Sequence, residues 1–396
     1  MLNWIHQTVA VTALNIRTIP QRLGSSGVAI VGIAGVVIVL VSVLSIATGF
    51  TAAMRQSGLT TRALILRSGA NSEMVSGLSA PEVDVIKSAP GLRRDGQVAL
   101  ASAENYVILE LPKKSTNSSA NVPMRGVDRT AVAVRSEARI VDGRMFEYGT
   151  NEVIVGRGAS VNFLGLTVGN EIRSGENLWK VVGVFEANGS VYETEVWSDA
   201  RVLQGAYRRG NSFQTVLAQL DSSASFDTFR DWLLSNPQVN VQVHRETDYY
   251  AAQSQTLSNL IYGVGFGIAA LMGIGAVFGA ILTMYTAVST RSREIATLRA
   301  LGFNTTSVIV SVLTESLALA AIGGAIGGLL AYVAFNGYQT STMNFQSFSQ
   351  VAFAFRVTPQ LLAMGFTYAL AMGLVGGLFP ALRAARLPIP SALREL

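Results

Sequence analysis

Four long stretches of the chain lack Asp, Glu, Lys and Arg altogether: residues 28–54, 249–290, 316–355 and 357–382. Each stretch is longer than the roughly 20 residues with which an α-helix crosses about 30 Å of hydrocarbon. The pattern predicts a polytopic α-helical membrane protein whose four transmembrane helices cover residues 27–50, 256–288, 307–336 and 359–382. Residues 248–258 contain neither Pro nor Gly, so we expect the second helix to begin well outside the membrane.

A large polar segment, residues 51–255, separates the first two predicted transmembrane helices and has the pattern of an α+β domain. Alternating apolar positions predict strands at residues 63–67 and 98–111, with a Ser-capped helix at 80–89 between them. Short β-type runs dominate residues 122–195, and a strand and helix pattern returns after them. We therefore predict two subdomains, a membrane-proximal one from residues 51–112 and 205–255 and a distal one from residues 113–204.

The first 26 residues carry apolar side chains at helical spacing, among them Ile5, Val9 and Ile16. This spacing predicts an amphipathic helix over residues 1–26 at the cytoplasmic surface of the membrane, with Trp4 as an anchor. A frayed leader is the alternative. The apolar stretch that follows runs about 23 residues, longer than the 7–15 of a cleaved signal sequence, so we expect it to be retained.

The basic residues indicate orientation. The chain has 396 residues and a formal net charge of +5, and its arginines flank the apolar stretches, which argues against nucleic-acid binding. By the positive-inside rule the N-terminal segment, the loop at 289–306 and the tail at 383–396 are cytoplasmic, whereas the loop at 337–358 and the large domain lie outside. The flanking arginines are Arg17, Arg22, Arg291, Arg293, Arg299, Arg383, Arg386 and Arg394.

The chain offers few residues for catalysis. It contains no Cys, no G-x-x-x-x-G-K-[ST] phosphate loop and no H-E-x-x-H zinc motif. The predicted topology places its two histidines, His6 and His244, on opposite sides of the membrane. Glu193 and Glu195 alternate along a predicted strand, which is typical of a solvated face. We therefore expect a non-catalytic chain that binds no cofactor and no metal.

Two features fall inside the predicted transmembrane helices. Glu315 is an ionisable residue in hydrocarbon, so it either pairs with Arg291, Arg293 or Arg299 of the adjoining loop or serves in transport as a proton relay. Glycines recur at four-residue spacing, which allows close helix packing within one subunit or across a dimer. The glycine pairs are Gly263 with Gly267, Gly275 with Gly279, Gly323 with Gly327, Gly324 with Gly328 and Gly373 with Gly377.

The loop at residues 289–306 has the pattern of a short amphipathic helix. Ile295, Leu298 and Leu301 follow one another at helical spacing, and Gly302 supplies a C-terminal stop. Its charged side chains could face a cytoplasmic partner, unless the helix only rests on the membrane surface. These charged residues are Arg291, Arg293, Glu294 and Arg299.

Three segments together resemble a known family. The run Arg293-Glu-Ile-Ala-Thr-Leu-Arg-Ala-Leu-Gly302, preceded by Arg291, resembles the cytoplasmic signature of ABC-transporter permeases of the MacB, FtsX and LolC/LolE superfamily. The tail that begins Pro380-Ala-Leu-Arg-Ala-Ala is similar to the ending of these permeases, and Glu315 with the later Gly-Gly-Ala-Ile-Gly resembles their third transmembrane helix. With one span, a large domain and three more spans, the resemblance covers nearly the whole chain.

The resemblance implies a mechanotransmission permease of the bacterial inner membrane. Residues 289–306 would then be the coupling helix that docks on a separate ABC ATPase dimer, which binds ATP and Mg²⁺. A second permease copy or a homologous permease would complete the complex, and the proximal and distal subdomains would be porter-like and sabre-like. The ATPase-coupling residues implied in this way are Arg291, Arg293, Glu294, Ile295, Leu298, Arg299, Leu301 and Gly302.

The expected function is a permease subunit that drives export or extraction of a substrate from the periplasm or the inner membrane. Further partners would be membrane lipids and either an adaptor with an outer-membrane channel or a lipoprotein. One alternative is a regulatory transmembrane subunit that activates a periplasmic cell-wall enzyme, although the large ectodomain fits it less well. Another is an independent ion-driven transporter centred on Glu315.

Overall fold

A computed structural model describes residues 7–8, 12, 23–344 and 348–389. The predicted amphipathic helix at 1–26 and the end of the C-terminal tail therefore lie largely outside the described residues. The chain divides into two compact units, a membrane unit from residues 1–48, 260–338 and 356–396 and an ectodomain unit from residues 49–259 and 339–355. Each unit is described by itself below.

The α-helices that lie within the described ranges are α1 (Leu23–Gln56), α2 (Ala80–Ser88), α3 (Ala131–Val134), α4 (Arg157–Asn162), α5 (Ala200–Ala206), α6 (Ser225–Ser235), α7 (Glu246–Thr290), α8 (Ser292–Ala300), α9 (Thr305–Phe335) and α10 (Pro359–Arg386). The strands are β1 (Arg62–Arg67), β2 (Leu78–Ser79), β3 (Arg94–Asp95), β4 (Val98–Ala99), β5 (Ala101–Pro112), β6 (Ser119–Val127), β7 (Arg139–Gly143), β8 (Glu152–Gly156), β9 (Glu171–Ser174), β10 (Asn177–Glu186), β11 (Val196–Asp199), β12 (Ser212–Phe213), β13 (Thr215–Gln219), β14 (Val241–Arg245), β15 (Gln339–Asn344) and β16 (Ser349–Ala354).

Four of these helices, α1, α7, α9 and α10, are long and apolar enough to cross a membrane, which confirms the predicted number of spans. Side chains define where two of them begin. The Asn304 side chain accepts a hydrogen bond from the Thr306 amide ahead of α9, and the Thr358 hydroxyl accepts one from the Leu361 amide ahead of α10. As predicted, α7 begins well before its apolar stretch, at Glu246.

Glycines allow the helices of the membrane unit to approach closely. A Cβ at Gly327 would lie 2.6 Å from the Ala34 carbonyl oxygen of α1, and one at Gly373 would lie 2.4 Å from Cβ of Ala320. These glycines therefore serve packing within one chain. The two glycine pairs on α7 differ from these. In the described part of the chain, a Cβ added at any of the four would have no neighbouring atom within 4 Å; they are Gly263, Gly267, Gly275 and Gly279.

A ten-stranded sheet organises the described ectodomain unit, in the order β14-β1-β13-β5-β6-β11-β8-β10-β7, with β9 also paired to β10. The β6 and β11 pair and the β8 and β10 pair are parallel, and the remaining neighbours are antiparallel. The sheet confirms the mixed character of the domain, and the predicted strands at 63–67 and 98–111 correspond to β1 and to β4 with β5.

Two apolar cores lie along this sheet. The first packs α2 and α6 against β1, β13 and the start of β5, and the second packs β6, β8, β10 and β11 around the rest of β5. Strand β5 supplies Ala101 and Ala103 to the first core and Val107 and Leu109 to the second. The boundary between the cores therefore falls inside β5, while residues 49–259 belong to one compact unit.

Strands β15 and β16 form a hairpin where the sequence suggested only a loop at 337–358. The Ala352 amide donates a hydrogen bond to the Thr194 hydroxyl at 2.7 Å, and the Tyr106 hydroxyl donates to the Ser349 hydroxyl at 3.2 Å. Phe353 meets Phe50 edge to face, with ring centroids 5.6 Å apart. These contacts make the hairpin part of the ectodomain unit.

Candidate functional site

The short helix α8 forms the predicted cytoplasmic segment, and a glycine ends it. Gly302 has φ of +94°, and the amides of Gly302 and Phe303 donate to the carbonyl oxygens of Arg299 and Leu298 at 3.1 Å. This left-handed turn satisfies the last carbonyl groups of the helix. The helix covers residues 292–300, inside the predicted segment at 289–306.

One face of α8 packs against the membrane unit. Ile295 is buried among Met284 and Val288 of α7 and Val308 and Val312 of α9, and Leu298 is half-buried beside them. The helical spacing therefore identified the packing face correctly for Ile295 and Leu298.

The opposite face of α8 is exposed. Arg293 and Glu294 lie on this face, and Leu301 follows them with 73% of its surface exposed. The expectation that Leu301 continues the packing face is wrong, because the helix ends at Ala300 and the glycine turn redirects the chain. An exposed leucine next to the charged face of a helix is a surface that a protein partner could cover.

Glu315 of α9 pairs with Arg291, which immediately precedes α8. Arg291 Nη1 lies 3.2 Å from Glu315 Oε2, and the two residues are only 5% and 4% exposed. Of the three arginines considered as partners, Arg291 is the one at ion-pair distance, while Arg299 Nη1 donates to the Leu387 carbonyl at 2.5 Å. Buried pairs of this kind are costly to break, because the remaining charge is left without its partner.

A cavity of about 30 Å³ lies beside this ion pair, between α7, α8 and α9. Leu298 and Ser311 line it together with Arg291 and Glu315. The volume is large enough to hold a water molecule. In the described ranges, no group of three or more His, Asp or Glu side chains is placed to hold a metal ion.

The ectodomain contains a buried charge cluster that the sequence did not reveal. Arg125 lies 2.7 Å from Glu73, 2.9 Å from Glu104 and 2.7 Å from Glu195, measured between guanidinium nitrogens and carboxylate oxygens. The sequence placed Glu195 on a solvated face, and this is wrong: Glu195 is buried and also accepts a hydrogen bond from the indole of Trp197. The full cluster comprises Arg62, Glu73, Glu104, Arg125, Arg135, Glu137, Tyr192, Glu195 and Glu246.

Neighbouring groups of opposite charge favour the charged forms of Arg125 and Glu104 within the cluster. Burial alone would lower the pKa of Arg125, but the carboxylates of Glu195 and Glu73 hold that pKa well above its usual value. Burial would likewise raise the pKa of Glu104, but Arg135 and Arg125 hold it below its usual range. The cluster therefore ties β5, β6 and the segment before β11 together by ion pairs, in addition to the apolar contacts of the second core.

Profiles of two known families match this arrangement of helices and ectodomain. The MacB-like periplasmic core domain matches residues 26–235, more than half of the chain, and the FtsX-like permease C-terminal domain matches residues 266–389. The chain belongs to the MacB/FtsX family of ABC transporter permeases. An ABC permease implies a partner ATPase, and no nucleotide-binding domain is found on this chain.

Relatives of this permease include macrolide export ATP-binding/permease proteins named MacB. The protein of Brucella melitensis is 23% identical over 365 residues, which cover 82% of this chain and 54% of that protein. The protein of Nitrobacter winogradskyi is 35% identical over 166 residues, which cover 39% of this chain and 24% of that protein. The chain thus spans about half or less of the length of these relatives.

Among solved structures, the periplasmic region of MacB from Actinobacillus actinomycetemcomitans is similar to this permease. It is 12% identical, with a TM-score of 0.37, and the match covers 52% of this chain and 96% of that one. Within the permease, α8 and Glu315 fall in the FtsX-like segment, and the buried charge cluster falls in the MacB-like core except for Glu246.

Proposed function

We propose that this permease couples ATP hydrolysis by a separate ATPase to movement of its periplasmic domain, and so drives export or extraction of a substrate from the periplasm or inner membrane. The observation that carries the proposal is the two-sided character of α8. Ile295 anchors one face of the helix in the membrane unit, while Arg293, Glu294 and Leu301 remain exposed on the other.

In this proposal α8 is the coupling helix. The buried pair of Arg291 and Glu315 clamps the start of α8 to α9, and the bond from Arg299 to the Leu387 carbonyl ties its end to the residue after α10. A push on α8 is therefore transmitted to several transmembrane helices at once. Gly302 allows the sharp turn that keeps α8 separate from α9.

Helix α7 is the lever of the proposed mechanism. It runs for 45 residues without a break, which corresponds to about 68 Å at 1.5 Å per residue. A continuous helix of this length transmits displacement along its axis because its hydrogen bonds all lie within the segment. The open glycine face of α7, which includes Gly267 and Gly275, fits contact with a second permease copy or a homologous permease.

The remaining assignments follow the same proposal. The ATPase binds ATP and Mg²⁺, and this permease binds neither. The complex lies in the bacterial inner membrane, surrounded by lipid, with both termini of the permease in the cytoplasm. In the periplasm, either an adaptor with an outer-membrane channel or a lipoprotein docks on the distal part of the ectodomain.

Coexpression with a candidate ATPase tests the coupling role. The double variant Arg293→Ala/Leu301→Ala should lose copurification of the ATPase and should reduce ATP turnover by the complex. Arg386→Ala is the matched control, because Arg386 is also exposed but lies at the end of α10. If the double variant binds the ATPase as the wild type does, the exposed face of α8 is not the docking surface.

A further inference from the structure

The buried charge cluster contains more acids than bases. Its bases are Arg62, Arg125 and Arg135, each at most 1% exposed at the side chain. Its acids are Glu73, Glu104, Glu137, Glu195 and Glu246, of which Glu137 is the most exposed, at 18%. With every acid ionised, two negative charges would lack a partner in a region from which water is largely excluded. Such a charge is expensive, and a buried acid usually takes up a proton instead.

The geometry singles out one acid as the carrier of the proton. The carboxylate of Glu104 accepts hydrogen bonds from Arg125 and Arg135. The carboxylate of Glu195 accepts two hydrogen bonds from Arg125, one from Nε and one from Nη2. Glu73 likewise accepts two bonds from Arg125. Each of these three acids therefore has a guanidinium group at normal hydrogen-bond distance.

Glu246 has no such partner. Its nearest cation is Arg62, whose Nε lies 3.5 Å from Glu246 Oε2. The closer partners of Glu246 are neutral: the Leu59 amide donates to Oε2 at 2.8 Å, and the Tyr192 hydroxyl bonds Oε1. Arg62 is also shared with Glu137, to which its Nη2 donates at 2.6 Å. The side chain of Glu246 is fully buried.

We propose that Glu246 is a proton-binding site of the ectodomain, and that its proton holds the first turn of α7 in the fold. The proton balances part of the acid excess of the cluster. When Glu246 loses it, a carboxylate whose nearest cation, Arg62, lies 3.5 Å away and is shared with Glu137 remains buried at the start of α7. That start is fixed tightly, because a Cβ at Gly58 would lie 2.5 Å from the Thr247 amide nitrogen.

The groups around Glu246 set the direction of the effect. Burial raises the pKa of Glu246, and it outweighs the opposing effects of Arg62 and of the hydrogen bonds from Tyr192 and Leu59. Arg135 also acts on Glu246 from the segment after α3, Glu137 shares Arg62, and Tyr250 of α7 donates to the Tyr192 hydroxyl at 3.1 Å. The N-terminus of α7 itself favours the ionised form.

The sign of the pH dependence follows. A pKa that is higher in the folded protein than in the unfolded chain stabilises the fold fully below the unfolded value. This contribution is lost as the pH rises through the folded-state pKa of Glu246. Raising the pH through this pKa should therefore loosen the attachment of α7 to the ectodomain, whereas a pH below it should preserve the attachment. The effect does not depend on the ATPase or on the proposed coupling mechanism.

Infrared spectroscopy of the purified full-length protein tests the site directly, because a protonated carboxyl group has a carbonyl band distinct from that of a carboxylate. The buried carboxyl band of the wild type should persist to higher pH than the carboxyl bands of ordinary glutamates, which have a pKa near 4.3. The band should disappear as the pH is raised, and Glu246→Gln should lack it. Glu110→Gln, which removes an exposed acid from β5, is the control and should retain it.

A second variant serves if Glu246→Gln does not fold. Tyr192→Phe removes the hydroxyl that bonds Glu246 and should shift disappearance of the band to higher pH. The proposal is overturned if the wild type has no buried carboxyl band that persists above the titration range of ordinary glutamates. It is also overturned if Glu246→Gln retains the band, or if Tyr192→Phe leaves its pH dependence unchanged.

Discussion

The ion pair between Arg291 and Glu315 allows a quantitative test of whether Glu315 is structural. Glu315→Ala removes a carboxylate that lies 3.2 Å from the Arg291 guanidinium, in a region where both residues are at most 5% exposed. Loss of one member of a buried ion pair typically destabilises a protein by about 3–5 kcal/mol. Arg291→Ala should cost a similar amount, because it removes the guanidinium that lies 3.2 Å from the buried carboxylate.

The double variant Arg291→Met/Glu315→Leu distinguishes pairing from transport. Replacing both members of a buried pair by apolar residues of similar volume is often neutral or stabilising by about 1–4 kcal/mol, so the double variant should recover most of the stability lost in either single variant. Denaturant unfolding of the purified protein measures this recovery. Ser316→Ala is the reference variant for the size of the loss in stability. It removes a neutral 2.6 Å hydrogen bond to the Gly373 carbonyl and should reduce the free energy of unfolding by about 0.5–1.5 kcal/mol.

Two outcomes would refute this reasoning. If the double variant is as unstable as Glu315→Ala, the loss does not arise from an unpaired charge. If the double variant is stable and binds its ATPase but no longer supports transport, Glu315 takes part in the transport step itself. The pairing account predicts that stability and ATP-driven function return together.

Two further predictions concern packing. Gly327→Leu should strongly destabilise the membrane unit in thermal unfolding, because its Cβ would lie 2.6 Å from the Ala34 carbonyl oxygen. Gly267→Leu should leave the thermal stability unchanged and should reduce crosslinking between two permease copies. Equal loss of stability in the two variants would contradict this prediction. Thr194→Val removes the hydroxyl that accepts the 2.7 Å hydrogen bond of the Ala352 amide, and should destabilise the hairpin by about 1–3 kcal/mol. Hydrogen exchange of the β16 amides should therefore become faster. Unchanged exchange would show that the hydroxyl does not hold the hairpin.

Local patterns in the sequence predict much of the fold. The four apolar stretches identify the transmembrane helices, because the absence of charge is a property of each segment alone. The helix at 80–89 is confirmed as α2, where Ser79 and Glu82 form a reciprocal capping box. Signals of this kind need no knowledge of distant parts of the chain.

Long-range contacts explain what local patterns did not predict. Glu195 alternates with Glu193 as an exposed strand residue would, but its guanidinium partner, Arg125, lies 70 positions earlier. The hairpin of β15 and β16 lies in the segment predicted as a loop, 337–358, where Val351 and Phe353 alternate with less buried residues as on a strand. Pairing across the chain decides both cases.

The candidate site was predicted better than the ectodomain. Helical spacing identified Ile295 as a packing residue, and the cost of a charge in hydrocarbon drew attention to Glu315. Which of the three arginines pairs with Glu315 depends on the three-dimensional packing, which selects Arg291. Leu301 was misplaced, because helical spacing was extended one residue past the end of α8. The coupling role of these residues stays a prediction.

Site-directed crosslinking tests the central claim most directly, since the chain contains no Cys and single cysteines can be introduced without background. Arg293→Cys places a thiol on the exposed face of α8, and Glu110→Cys places a control thiol on the ectodomain. With a short crosslinker and the coexpressed ATPase, the account predicts a permease–ATPase product from position 293, changed in yield by ATP, and none from position 110. Absence of any product from position 293 in a complex that copurifies would contradict the account.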